Sequence, residues 1–220
     1  MNVILFDFDG TIANSLEIAL QVTNRLAEEF GYPTTSLEEF KQLKNLTSRE
    51  ILKQAKISVF VVPFLVRRFN AEFGQRIEQL PIVPGMKETL LELKQQGHWL
   101  AIVSTNSEKN IRAFLENQKL TDVFDQVASS SRPFGKSRLI KKILRQHQFL
   151  PETVYYVGDE TRDIEAARKS RVNAIAVTWG FNSADLLAAH HPDFLLHTPQ
   201  ELPQLTNPQS FRKDNIQQLL

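Results

Sequence analysis

The chain has no cysteine, which excludes disulfides, thiolate nucleophiles and cysteine-ligated zinc or iron–sulfur centres. Any metal must be held by oxygen or histidine. Neither charge sign is in excess: 26 basic and 25 acidic residues, well mixed, give a net charge of +1 over 220 residues. Such a balance provides no polyanion-binding surface, so nucleic acid is not an expected partner. Long apolar runs are missing too. The longest, from Ile57 to Val66, carries Pro63 and ends at Arg67-Arg68, too short to cross a bilayer. A signal peptide is not expected, because the apolar run Val3–Phe6 is short and Asp7 interrupts it. These absences lead to the expectation of a cytoplasmic protein with no membrane partner. There is no internal repeat and no low-complexity tract.

What is present is the profile of a globular chain, 42% hydrophobic and 23% charged, long enough for one domain with an insertion or two small domains. The two halves differ in texture. From about Asn14 to Leu80 the pattern is helical and β-branched alternation is scarce. Ser36-Leu-Glu-Glu39 and Thr47-Ser-Arg-Glu50 both have the form of a capping box, so a helix is expected to start at each. Gly31-Tyr-Pro33 separates an earlier helix from them, and Pro81–Gly85 reads as a hinge into a helix closing at Gly97.

Beyond the hinge, short apolar runs alternate with amphipathic stretches. Strands are expected at Trp99–Val103, Phe124–Ala128, Val154–Val157, Ala174–Val177 and Phe194–Leu196. Helices are expected at Glu108–Gln118, Ser137–His147, Arg162–Lys169 and Ala184–His190. That alternation argues for βαβ units and a mostly parallel sheet. Val3–Phe6 has the same strand character but is cut off from its fellows. The economical reading is an α/β fold, a Rossmann-like parallel sheet flanked by helices, with an all-helical cap inserted after the first strand. Its parts are a core of 1–13 and 82–205, a cap of 14–81 and a C-terminal tail of 206–220.

The polar residues fall at strand ends, where open parallel sheets bind ligands. Asp7 and Asp9 follow the first strand, Ser104-Thr105-Asn106 the second, and Lys136 opens the helix after the third. Gly158-Asp159-Glu160-Thr161-Arg162-Asp163 follows Val154–Val157. Each also has a bland reading. Asp7 and Asp9 could be a solvated acid pair, Ser104 and Thr105 helix caps, Lys136 a surface lysine, and Asp159 and Asp163 acids favoured at a helix start. Gly135-Lys136-Ser137 ends like a P-loop, but Ser130 stands where that pattern needs glycine, which rejects it. His190 and His191 lack an evident acid partner and read as surface residues.

Taken together, Asp7-Phe-Asp9-Gly10-Thr11, the hydroxyl residue after the second strand, the lysine at the next helix start and Gly158-Asp159-x-x-x-Asp163 resemble the four motifs of haloacid dehalogenase-like phosphohydrolases. The resemblance runs from Val3 to about Leu205. Thr178-Trp-Gly-Phe-Asn-Ser183 is similar to the phosphoglycolate phosphatase-like branch, which carries a helical cap. One departure is Asn14, where members often have an acid, near the cap hinge.

The resemblance implies a phosphatase that forms an aspartyl-phosphate on Asp7, with Asp9 as general acid and base. It implies Mg²⁺ held by Asp7, the Asp9 carbonyl, Asp159 and Asp163. Gly10, Thr11, Ser104, Thr105 and Lys136 would contact the phosphoryl group. Four carboxylates, one lysine and a divalent cation leave one net negative charge before Asp9 takes a proton, so without the metal the site would hardly admit a phosphate dianion. Dehalogenase-type members lack the second acid, so Asp9 favours phosphate esters over haloacids. A phosphonate-cleaving member needs a Schiff-base lysine in the cap, and none can be assigned among Lys41, Lys44, Lys53 and Lys56.

Substrate choice is expected in the cap, around Lys44, Asn45 and Arg49, although these could equally be charges on a solvated face. The expected partner is a small phosphate ester, phosphoglycolate by preference, for a monomer or homodimer. A phosphosugar mutase of the β-phosphoglucomutase type and a non-catalytic binding protein on the same fold are the alternatives.

Overall fold

A computed structural model of the chain describes residues 1–58, 60–130, 132 and 135–206. The expected C-terminal tail lies outside the described residues from 207 onward.

The centre of the fold is β1 (Val3–Phe6), whose four residues are all buried. A run of consecutive apolar residues suits a strand covered on both faces. Four helices follow before the chain returns to the sheet region: α1 (Leu16–Phe30), α2 (Leu37–Leu43), α3 (Ser48–Gln54) and α4 (Val62–Gly74). The remainder alternates: α5 (Met86–Gln95), β2 (Trp99–Ser104), α6 (Glu108–Asn117), β3 (Gln126–Ser129), α7 (Lys136–His147), β4 (Val154–Gly158), α8 (Thr161–Ser170), β5 (Asn173–Val177), α9 (Ala184–Ala189), β6 (Phe194–Leu196) and α10 (Glu201–Thr206). The six strands pair in parallel in the order β3-β2-β1-β4-β5-β6. The expected parallel α/β sheet flanked by helices is therefore the observed fold.

The period of two along β1 divides the core. Ile4 and Phe6 pack with Phe8, with Met86, Leu90 and Leu93 of α5, and with Ile111 and Phe114 of α6. Val3 and Leu5 face the other layer, with Ile140 and Ile143 of α7 and Ile164 of α8. Because β2 and β3 lie on one side of β1 and β4, β5 and β6 on the other, its carboxyl end sits at the switch in strand order, the place where open parallel sheets bind ligands.

The insertion leaves and returns at one place. Asn14 N donates to the Pro81 carbonyl at 2.9 Å, Val83 N to that of Ile12 at 2.9 Å, and Ala13 bridges Ile82 in antiparallel fashion. Both capping boxes form: the Ser36 side chain with Glu39 at the start of α2, and Thr47 with Glu50 at the start of α3. The third strand begins two residues later than expected. Phe124 is drawn down onto Phe6, ring edge to face at 6.2 Å, and burial of that ring outweighs its strand propensity. No helix among the described residues is long and apolar enough to cross a membrane.

Candidate active site

Asp7 is the first residue past β1, tied to β4 by its backbone N–H, which donates to the Val157 carbonyl at 2.8 Å. Its carboxylate is almost wholly buried and meets Lys136 Nζ at 2.6 Å. The same Nζ lies 2.6 Å from Asp163 Oδ1. Lys136 stands at the start of α7 and Asp163 in the first turn of α8, so three elements deliver one buried triad. Tyr156, on β4, adds its hydroxyl, donating to Asp163 Oδ1 at 3.2 Å. Burial alone would push the Lys136 ammonium down. Asp163 and Asp7 outweigh it, and the lysine is held above its ordinary range.

Asp159 completes the cluster. Suitable oxygens of Asp7, Asp159 and Asp163 lie within 4.8 Å of one another, and all three residues are buried. The Asp159 carboxylate accepts from the Thr11 hydroxyl at 2.7 Å on one oxygen and from Phe181 N at 2.7 Å on the other. Gly10 (φ +79°) and Gly180 press their backbones onto it so closely that a Cβ at either would collide with the Asp159 side chain. Burial, then the charges of Asp7, Glu160 and Asp163, push the Asp159 carboxyl well above the usual carboxylate range. Asp163 is pushed up to about 6, by burial first, with Lys136 opposing.

Asp9 is half-buried at the rim. Asn106 Nδ2 donates to both its oxygens, at 3.2 and 3.0 Å. Burial and the neighbouring Asp7 charge nevertheless raise it to about 7, against the pull of Asn106, Lys136 and Arg162. A carboxyl poised there can give or take a proton near neutrality. Ser104 is buried at the end of β2, and its Oγ accepts from Asn106 N at 3.1 Å. Thr105 is half-buried, and its carbonyl accepts from Asn70 Nδ2 of α4 at 3.0 Å.

The structure therefore brings together Asp7, Asp9, Gly10, Thr11, Ser104, Lys136, Asp159 and Asp163. The insertion residues lie on a seam. Lys44 Nζ donates to the Gly180 carbonyl at 3.1 Å, Arg49 pairs with Glu165 of α8 at 3.5 Å, and Asn45 is exposed. Lys41, Lys53 and Lys56 are exposed. His190 hydrogen-bonds the Leu186 carbonyl at 2.8 Å, closing its own helix.

Sequence reasoning missed the supporting polar groups. Asn106 orients Asp9. Arg162 and Glu160 pair at 2.5 Å, with Ser48 of the insertion donating to Glu160 at 2.8 Å. The segment 178–183 hydrogen-bonds Asp159. Asn106 stood beside Ser104-Thr105 at a strand end, Glu160 and Arg162 inside the Gly158–Asp163 motif and the segment 178–183 in a stretch with a family resemblance, but the partner each one holds had no signal in the sequence.

The buried acids make stability depend on pH. Asp9, Asp159 and Asp163 all hold protons more tightly in the folded chain than their ordinary value of 3.8. The folded state thus binds more protons than the unfolded state between about pH 4 and 7, so stability falls as pH rises through that window. His98, held low by burial, opposes this weakly. Glu160, where burial is outweighed by Arg162, is held low and acts below the window. The metal-free protein is therefore expected to melt at higher temperature near pH 5 than near pH 7.5, and Asp9→Asn to flatten that slope. A melting temperature that rises steadily with pH would contradict the acid cluster.

A buried carboxylate paired with a lysine, a second carboxyl raised to about 7 and a cluster of hard oxygen donors thus meet at the carboxyl edge of a parallel α/β sheet. The chain matches the haloacid dehalogenase-like hydrolase family over residues 4–177. It is 38% identical over 204 residues to a phosphoglycolate phosphatase of Synechococcus elongatus, covering 93% of this chain and 96% of the relative. The pyrophosphatase PpaX of Bacillus cereus is 27% identical over 220 residues, covering 94% and 97% of the two chains. Among solved structures, a haloacid dehalogenase-like hydrolase from Streptococcus pneumoniae superposes with a TM-score of 0.74 at 24% identity, covering 93% and 98%. The chain belongs to the haloacid dehalogenase-like hydrolases and is a phosphatase of that family.

Proposed function

We propose that the chain is a Mg²⁺-dependent phosphomonoesterase of a small phosphorylated metabolite, phosphoglycolate foremost, working through an aspartyl-phosphate on Asp7. The observation that carries this reading is the pairing of Asp7, held by Lys136 at 2.6 Å, with Asp9, raised to about 7 two residues on. The substrate preference follows the 38% identical relative, named phosphoglycolate phosphatase.

The donor set fits a hard divalent cation. Three buried acids, two of them paired with Lys136, leave two negative charges to be matched, and all the donors are oxygen. Asp7, the Asp9 carbonyl, Asp159 and Asp163 would hold it. When bound, Mg²⁺ supplies positive charge that lets a phosphate dianion approach the acids and stabilises charge on its oxygens.

The chain's own groups account for the rest. An Asp7 oxygen attacks phosphorus while the bond to the ester oxygen breaks, and Asp9 delivers its proton to that leaving oxygen. Asp9, now a carboxylate, takes a proton from water as the water oxygen attacks the phosphorus of the aspartyl-phosphate. The bond from phosphorus to Asp7 breaks, inorganic phosphate leaves, and Asp9 is again protonated. Lys136, Ser104, Thr105 and the backbone near Gly10 and Thr11 would contact the phosphoryl oxygens, where charge changes in the transition state.

The four-helix insertion acts as the cap over this centre, one chain crossing each way at Asn14 and Pro81. Lys44, Asn45 and Arg49 are its candidate substrate-facing residues. The division into a core of 1–13 and 82–205 and a cap of 14–81 belongs to the same proposal, as does monomeric or homodimeric assembly in the cytoplasm.

The test is release of inorganic phosphate from a panel of phosphorylated metabolites with Mg²⁺. Phosphoglycolate is expected to give the highest kcat/KM. Transfer of phosphate between positions of a sugar without its release would favour a mutase instead, and preference for pyrophosphate would overturn the substrate assignment.

A further inference from the structure

The segment Thr178-Trp-Gly-Phe-Asn-Ser183, between β5 and α9, touches Asp159 on one side and the helical insertion on the other. Toward the sheet, Phe181 N donates to Asp159 Oδ2 at 2.7 Å and Asn182 N to the Asp159 carbonyl at 3.1 Å. Asn182 Oδ1 accepts from Thr161 N at 2.9 Å, satisfying one of the amides left open in the first turn of α8. Toward the insertion, Asn182 Nδ2 donates to the Leu46 carbonyl at 3.1 Å and to that of Lys44 at 3.3 Å. Ser183 N donates to the Lys44 carbonyl at 2.9 Å.

Asn182 is only 1% exposed. A backbone donor faces one end of its amide and two backbone acceptors face the other, so its orientation is determined by its partners. No other uncharged side chain of comparable size offers both an acceptor and two donors in one plane except the longer glutamine. The side chain therefore joins the junction after α2 to the start of α8, while the peptide preceding it holds Asp159. Both Asp159 oxygens are already engaged, one by Thr11 and one by Phe181. A shift at Asn182 reaches the carboxylate directly through the neighbouring amide.

We propose that Asn182 is a positioning residue that couples the seating of the insertion to the orientation of Asp159. A divalent cation then binds more tightly when the insertion is seated, and by reciprocity the bound cation holds the insertion down. The inference rests on reading Asp159 as a cation-binding acid. It concerns neither proton transfer nor the attacking group.

The experiment measures Mg²⁺ binding directly, by calorimetry and by the fluorescence of Trp179, whose Nε1 donates to the Thr11 carbonyl at 3.0 Å within the same segment. Asn182→Ala is expected to weaken Mg²⁺ binding about ten-fold, within the roughly 5- to 150-fold range of such couplings. Asn182→Asp keeps an acceptor for Thr161 N but loses both donations to the insertion, and should lose the coupling while retaining a cooperative melt. In the wild type, Mg²⁺ should slow amide hydrogen exchange across residues 43–50, and in either variant it should no longer do so.

A variant that melts at lower temperature but binds Mg²⁺ as the wild type does would show a structural role only and overturn the proposal. Unchanged exchange across 43–50 in the wild type on adding Mg²⁺ would do the same. A wild-type protein that takes up no divalent cation would instead remove the reading of Asp159 on which the inference stands.

Discussion

Asp7→Asn is expected to lower kcat by at least about a thousand-fold, the scale seen when a group acting as nucleophile is removed. An amide is nearly isosteric with the carboxylate, so packing beside Lys136 is retained, but its oxygen is a far poorer nucleophile. The change should not unfold the chain. Asp7 belongs to a cluster of three buried acids and shares Lys136 with Asp163, so removing one charge relieves repulsion while Lys136 keeps Asp163. The metal-free variant should therefore melt at least as high as the wild type. Loss of turnover with the fold intact separates chemistry from stability. Undiminished turnover by purified Asp7→Asn would remove Asp7 from the mechanism.

Chelation carries an effect of similar size. With EDTA, phosphate release should fall to background, and excess Mg²⁺ should restore it. The reason is electrostatic: a phosphate dianion cannot readily approach the cluster of Asp7, Asp159 and Asp163 when Lys136 pairs with two of them and the nearby Arg162 is itself paired with Glu160. The same addition should stabilise the protein. A ligand at one hundred times its dissociation constant contributes about 2.7 kcal/mol, which for a chain of this length raises Tm by roughly 5 to 10 °C. The rise should be larger near pH 7.5 than near pH 5, where protons already neutralise Asp9 and Asp163. Activity indifferent to EDTA, with no thermal shift from Mg²⁺, would contradict the metal reading.

Much of the architecture was legible because its signals are local. Val3–Phe6, Val154–Val157 and Ala174–Val177 are short apolar runs with turns at both ends, and each is a strand to within a residue. Ser36 and Thr47 announced two helix starts through their glutamates three residues on. The third strand was harder, because Phe124 has strong strand propensity yet is claimed by Phe6 across the core.

The acids and Lys136 were legible as strand-end and helix-start residues, since a parallel sheet gathers those positions at one edge. Groups that support them were not. Asn106, Asn182 and Glu160 lie in stretches the sequence singles out, but their partners lie 97, 21 and 112 positions away, so what each one holds could not be read locally. The seam between insertion and sheet was illegible for the same reason: Lys44 Nζ donates to the Gly180 carbonyl, 136 positions away.

The central claim is that the phosphoryl group rests on Asp7 between two half-reactions. Its most direct test is to mix the protein with Mg²⁺ and phosphoglycolate, quench in acid during turnover, and locate phosphate by mass spectrometry of the digest. The account predicts an acid-stable, base-labile phosphate on the peptide bearing Asp7, absent from Asp7→Asn and absent without Mg²⁺. Phosphate released by the wild type with no label on that peptide at any quench time, or label on a different residue, would contradict it.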